Sequence, residues 1–325
     1  MEFAMAIKSL RNRKFTAGLT VLSIALSVAL LLGVERIRQE SRESFASTVS
    51  GTDLIVGART SPVHLLLFSV FRIGNATNNI GWESYRAIAD RPEVAWSIPV
   101  SLGDSHRGFR VVGTTQDYFE HFRHGRGRKL EFTQGNSFRE THDAVLGAQA
   151  AAALGYVAGQ SIIIAHGAGD VSFSLHQDQP FRVIGVLART GTPVDRSVHV
   201  SLQGIDALHA ESSQDAAQDP LAAAMHERER EAGDAPVRGK AISAFLLGLS
   251  TRAAALSVQR LVNEYPEEPL TAILPGATLQ EVWEIVGVAE KALVAVSALV
   301  VVVGLAGMLV ALLTSLSERR REMAV

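Results

Sequence analysis

The chain has 325 residues, a formal net charge of −2, 20% charged residues and no cysteine. A near-neutral balance offers no basic surplus for nucleic acid, so no nucleic-acid partner is expected. Zero cysteine excludes disulfides, thiol catalysis and cysteine-ligated metal. Two uncharged apolar runs, residues 15–34 and 292–317, stand near the two ends. Each is long enough to cross a hydrocarbon core of about 30 Å as a helix.

Residues 1–14 carry Phe3, Ile7 and Leu10 at helical spacing, with Lys8, Arg11, Arg13 and Lys14 elsewhere. This pattern suits a short helix lying in the inner membrane interface, or else a disordered basic tail. The run at 15–34 outlasts the 7–15 apolar residues typical of a cleaved signal peptide, so it is assigned as a first transmembrane helix. Basic residues precede the first run, and Arg319, Arg320 and Arg321 follow the second. Positive charge favours the cytoplasmic side, which puts both outer ends inside and residues 35–290 outside.

Residues 35–49 are polar and helix-compatible and continue the first span outward as a stalk. Residues 53–56 form a strand ended by Gly57. Ser61-Pro62 opens an apolar segment at 64–73, whose Leu65, Leu66, Leu67, Phe68 and Phe71 are costly to leave in water. The segment either packs under the outer domain or lies against the membrane. In the second case those five residues are the candidate contact with an extracytoplasmic partner or lipid. A helix over 82–90 stops at Arg91-Pro92. Strands follow at 95–102 and 109–113, separated by a turn at Gly103-Asp104-Ser105. Further strands are expected at 144–147, 161–165, 171–175, 181–187 and 198–200, with helices at 148–154 and 202–209. Residues 211–240 hold almost no large apolar side chain and read as a mobile insertion. A strand at 242–249, a helix at 253–264 and a strand at 270–274 complete the domain. From Leu279 a helix runs into the second span, 291–317, and residues 318–325 return to the cytoplasm. The fold class is therefore a membrane protein: transmembrane α-helices with a large α+β extracytoplasmic domain between the first and second.

Several segments, taken in order, resemble the ABC-transporter permease group of the macrolide exporter MacB, the lipoprotein-releasing LolC and LolE, and FtsX. Ser9-Leu10-Arg11-Asn12-Arg13 before an apolar run is similar to the entrance of that family's first membrane helix. Val112-Gly113 followed by Asp117-Tyr118-Phe119 resembles an element of its outer domain. So do Ala144-Val145-Leu146-Gly147 with Ala152-Ala153-Leu154-Gly155, and Phe181–Leu187. Ser317-Glu318-Arg319-Arg320-Arg321-Glu322 resembles the motif where the second membrane helix meets the cytoplasm. Gly191-Thr192-Pro193-Val194-Asp195-Arg196 suggests a distinct branch. The resemblance implies a multi-pass permease of the inner (plasma) membrane, with two further spans after Val325 and a second copy or homologous permease beside it. It also implies a separate ATPase subunit docking near Lys8, Arg11, Arg13, Arg319, Arg320 and Arg321. A periplasmic adaptor or enzyme is a further partner. No G-x-x-x-x-G-K-[ST] motif occurs, so ATP is expected on the separate subunit, with no cofactor in this chain.

Catalysis has little support, and no enzyme activity is expected. His121 and His124 are the one tight histidine pair, three apart as on a helical face that holds a metal. Arg123, Arg126, Arg128 and Lys129 surround them, and positive charge opposes a cation, so a solvated basic loop is expected instead. There is no G-x-S-x-G elbow. Glu290 and Lys291, at the edge of the second run, read as snorkelling residues. Two other readings compete with a transporting permease: an FtsX-like activator of an outer enzyme, and a two-helix sensor.

Overall fold

The computed structural model describes residues 50–166, 180–208 and 241–322, with Thr48 and positions 18, 21–22, 25–26, 28–29, 32–33, 35–37 and 39–40. The strand expected at 171–175, the insertion at 211–240 and the helix at 1–14 lie outside the described residues. The chain divides into two units, Met1–Glu43 with Trp283–Val325, and Ser44–Val282.

In the first unit the described positions between 18 and 40 are helical. Val21, Leu22, Leu26 and Leu32 are each more than 60% exposed. The C-terminal helix runs Pro275–Glu322, and its stretch Pro275–Gly307 is long and apolar enough to cross a membrane, its most apolar 18-residue window having a mean hydropathy of 2.2. Leu293, Leu299, Val302, Val303 and Leu309 all stand open. Among the described residues nothing covers these side chains.

The second unit is built on one mixed sheet of eleven strands. In chain order these are β1 (Leu54–Ala58), β2 (Val94–His106), β3 (Phe109–Thr114), β4 (Phe132–Gly135), β5 (Asp143–Leu146), β6 (Ser161–Ile162), β7 (Ala165–His166), β8 (Phe181–Leu187), β9 (Ser197–Ser201), β10 (Ala244–Leu249) and β11 (Leu270–Ile273). Across the sheet the order is β11-β1-β10-β2-β3-β9-β5-β8-β4, with β7 beside β2 and β6 beside β8. The β3–β9 and β5–β8 pairs are parallel and the others antiparallel.

Alternation sorts the side chains. Leu54, Val56 and Ala58 of β1 join Phe245, Leu247, Leu270 and Ala272 in one cluster. Helices α1 (Trp82–Ala89) and α2 (Ala255–Asn263) close it with Tyr85, Ile88, Val258 and Val262. A second cluster on the other half holds Val111, Ala144, Leu146, Phe181, Val183, Val198 and Val200, closed by Ala151, Ile205 and Leu208. Residues 202–208 are helical and serve both, Leu202 in the first cluster and Ile205 and Leu208 in the second.

The apolar segment after Ser61 is a helix, Pro62–Ser69, with Ser61 capping the His64 amide at 3.2 Å and Pro at its start. Its position is made by a missing side chain. A Cβ on Gly57 of β1 would lie 2.4 Å from Leu65 Cδ1, so glycine lets the helix settle on the strand. Leu65 and Leu66 are 0% exposed, Phe68 2% and Phe71 8%, with Leu67 half-buried. The segment therefore packs under the sheet: Leu65, Leu66 and Phe68 are withdrawn from any surface for partner or lipid, while Leu67 stays half-buried and Phe71 reaches the edge of a cleft. Burial wins because a helix apolar on every side has no face to give to water.

The turn expected at residues 103–105 is also corrected. β2 runs through it, with a bulge between Leu102 and Ser105, and the chain reverses at Arg107-Gly108, both at positive φ. Asp104 and Ser105 pair with His166 and Ala165 of β7 on one edge, and Ser105 pairs with Arg110 of β3 on the other, which holds this turn-prone stretch in the strand.

Candidate functional site

His121 ends the short helix Asp117–His121, while His124 lies in a strand, Arg123–His124, paired with Arg128–Lys129. They share no helical face, so the spacing argument for a joint metal site fails. His121 stacks on Trp96 at 5.4 Å with 6° between planes. His124 is 5% exposed, which corrects the expectation of a fully solvated loop, though Arg126, Arg128 and Lys129 are exposed. Asp117, Glu120 and His121 bring ligand atoms within 4.8 Å of one another, and Asp117 accepts a bond from the Thr115 hydroxyl. Lys8, Arg11 and Arg13 lie outside the described residues, as do the side chains of Glu290, Arg319, Arg320 and Arg321.

The polar chemistry gathers elsewhere, on the sheet face opposite the two clusters. Register aligns Leu102, Val112, His199 and Val145 across four strands, with His199 in the centre. His199 is fully buried, 5.0 Å from the Tyr118 ring and 6.1 Å from Phe119. Among the described residues neither imidazole nitrogen finds a hydrogen-bond partner. Burial first, and the Arg72 charge second, push its pKa from 6.5 down to about 3; the Val145 backbone opposes this without reaching hydrogen-bond geometry. The ring is neutral at physiological pH.

Arg72 reaches this region through an unusual backbone. The helix at 62–69 closes with the Ile73 amide bonded to the Leu67 carbonyl at 3.1 Å. Arg72 takes the left-handed position, φ 62°, that such closures usually give to glycine. A side chain there costs about 1–2 kcal/mol. Its guanidinium donates to the Ser69 carbonyl and faces the Tyr118 hydroxyl, while Nε is buried without a partner among the described residues. Burial lowers the arginine pKa and raises that of Tyr118; the phenol is thus held neutral, and the nearby hydroxyl offsets part of the cost of keeping the guanidinium charged.

Arg72 forms part of the lining of a cleft of about 600 Å³, with Arg110, Arg189 and Arg196. Arg110 comes from β3 and is braced by the Asn75 Oδ1 and Gly74 carbonyl oxygens, each at 3.0 Å. Arg196 ends the turn Pro193–Arg196 and lies 5.9 Å over the Phe109 ring. The loop carrying Arg189 and Arg196 is tied by Asp195. Its carboxylate accepts from the Thr190 amide and hydroxyl at 2.8 Å and the Gly191 amide at 2.9 Å. Gly147 permits the loop's close approach, since a Cβ there would meet the Val194 carbonyl oxygen at 2.1 Å. None of the four arginines forms an ion pair among the described residues. Residues 191–196, marked in the sequence as a branch feature, thus shape the cleft wall. The cleft itself escaped sequence reading, because its arginines are scattered over more than a hundred positions and form no motif.

Comparison with known proteins adds the relationship. The family model for the MacB-like periplasmic core domain matches residues 17–228. Among solved structures, the periplasmic region of MacB from Actinobacillus actinomycetemcomitans aligns at 11% identity and a TM-score of 0.43, covering 73% of this chain and 97% of that one. The extracellular domain of the noncanonic ABC-type transporter YknZ from Gram-positive bacteria aligns at 11% identity and a TM-score of 0.36, covering 68% and 99%. Curated proteins give no significant match. With the family model spanning well over half its length, the chain belongs to the family of MacB-like periplasmic core domains.

Proposed function

We propose that the chain is a permease subunit of an ABC-type transporter, working with a separate ATPase to drive movement of its outer domain and so export or extract a substrate. The observation that carries this reading is the family match over residues 17–228, followed in the chain by an apolar stretch at Pro275–Gly307 long enough to cross a membrane. In this reading residues 15–34 and 291–317 cross the plasma (inner) membrane, and residues 35–290 lie outside. The basic groups at Lys8, Arg11, Arg13 and Arg319–Arg321 meet the ATPase on the cytoplasmic face, and a second copy or a homologous permease completes the pair. The chain is not itself an enzyme and holds no cofactor.

Topology and coupling test it together. Alkaline phosphatase fused after Gly113 or Gly185 is expected to be active, because disulfide-dependent phosphatase matures only outside the cytoplasm. The purified subunit alone is expected to hydrolyse no ATP, with activity appearing when the partner ATPase is added. Inactive phosphatase fusions beside an active cytoplasmic reporter at the same sites refute the topology. ATP hydrolysis by the subunit alone refutes the division of labour.

A further inference from the structure

We infer that the arginine cleft on the outer domain is a binding site for a phosphoryl anion, with an apolar wall for whatever group carries it. The inference concerns binding by the domain alone and does not depend on transport.

Charge is the first argument. Arg72, Arg110, Arg189 and Arg196 line one cleft of about 600 Å³. None has a carboxylate partner among the described residues. The one acid of the loop, Asp195, is turned inward and satisfied by three donors from Thr190 and Gly191. A guanidinium presents a fork of N–H groups matched to phosphate oxygens, and several around one space suit a dianion rather than a single carboxylate.

Arg72 is the second argument. Arg72 is half-buried with its Nε out of solvent. A desolvated positive charge with no counter-ion among the described residues is costly, and here the chain also adopts a left-handed backbone to put it there. Hydrophobic packing does not explain this placement, since a glycine at residue 72 would close the helix with less strain. A bound anion would give the buried Nε a partner and the guanidinium, which already donates to the Ser69 carbonyl, a counter-ion.

Shape is the third. Arg110 is held by Asn75 and Gly74, and the 190–195 loop is pinned by Asp195, so two walls are fixed before any ligand arrives. Phe71, Ile73 and Pro193 line the same cleft, and Ile73 is 56% exposed. An apolar wall beside the charges accommodates the chain or ring attached to a phosphate.

The test is calorimetric titration of the full chain in dodecyl maltoside and a phosphate-free buffer. Probes are inorganic phosphate, dihexanoyl phosphatidic acid, dihexanoyl phosphatidylcholine and succinate. The phosphatidic acid is expected to bind and to weaken as salt rises. Substituting both exposed arginines, Arg189→Gln with Arg196→Gln, is expected to weaken it on the order of tenfold or more. The pair Arg126→Gln with Arg128→Gln, outside the cleft, is expected to leave binding unchanged. If phosphatidic acid binds far better than inorganic phosphate, the source is a lipid headgroup; equal binding points to free phosphate, and both support the site. Equal binding of phosphatidylcholine, displacement by succinate at the same concentration, or equal loss in the two variant pairs overturns the inference. So does the absence of binding by both phosphates. An unchanged urea midpoint in the Arg189/Arg196 variant separates lost binding from lost folding.

Discussion

Acid sensitivity should be concentrated at His199. In the folded domain its pKa is about 3 against an ordinary 6.5, so between those values the unfolded chain binds a proton that the folded chain refuses. Stability is therefore intact above pH 6.5 and falls as pH drops toward 3. Each unit below 6.5 costs about 1.4 kcal/mol, giving about 2.7 kcal/mol lost at pH 4.5. His106 and His124 are lowered by burial as well and add to the same trend in the native protein. The informative quantity is thus the difference from His199→Leu, in which those groups persist. Leucine conserves most of the volume between Val112 and Val145 and removes two nitrogens that have no partner, so stability at pH 7.5 should hold or rise. Urea unfolding of the full chain at pH 7.5 and 4.5, at fixed ionic strength and followed by tryptophan fluorescence, gives the four values required. The native protein should lose about 2.7 kcal/mol more than the variant over this interval. Equal losses would mean that the ring is protonated in the folded state, and the account of its burial would be wrong.

Two further perturbations probe the packing. Gly147→Ala places a Cβ 2.1 Å from the Val194 carbonyl oxygen, against backbone that cannot yield cheaply, and should destabilise the domain by more than about 2 kcal/mol by urea midpoint. It should also weaken any ligand of the cleft, since the same loop carries Arg196; a neutral result for stability refutes the close contact. Phe68→Ala should cost about 3–5 kcal/mol, because the ring is only 2% exposed beneath the sheet. A cost below about 1 kcal/mol would return this helix to the surface, where sequence alone allowed it to be.

Where local pattern and tertiary pairing agree, the sequence was legible. The strand at 181–187 and the alanine-rich helix at 148–154 have the boundaries expected from their composition. The strand at 109–113 gains only Thr114. Elements were misread where neighbours overruled propensity. Gly103, Asp104 and Ser105 are turn formers, yet the pairing of Asp104 with β7 and of Ser105 with both β7 and β3 carries the strand through them. The paired segments Arg123–His124 and Arg128–Lys129, and the strand Phe132–Gly135, are too short and polar for periodicity to mark them. The cleft was illegible for a different reason. Arg72, Arg110, Arg189 and Arg196 come from a helix end, a strand and a loop, and only the fold brings them together. The surroundings of His199 depend in the same way on three strands meeting in register.

The sheet also orders events in time. β1 pairs only with β10 and β11, and Asp53 at its foot accepts from the Leu249 amide, 196 residues later in the chain. At ribosomal speeds of about 5–20 residues per second, β1 waits roughly 10–40 s for its first neighbour. The strands that carry Arg110 and His199, by contrast, find every partner within residues 94–201. The half of the domain holding the cleft can therefore close while the strands that will flank β1 are still being made. It then offers the free edge of β2, residues 94–100, as the ledge on which β10 and finally β1 assemble. Until that moment Leu54, Ile55 and Val56 are an unpaired apolar edge, and the nascent chain must be shielded there if it is to reach the folded state.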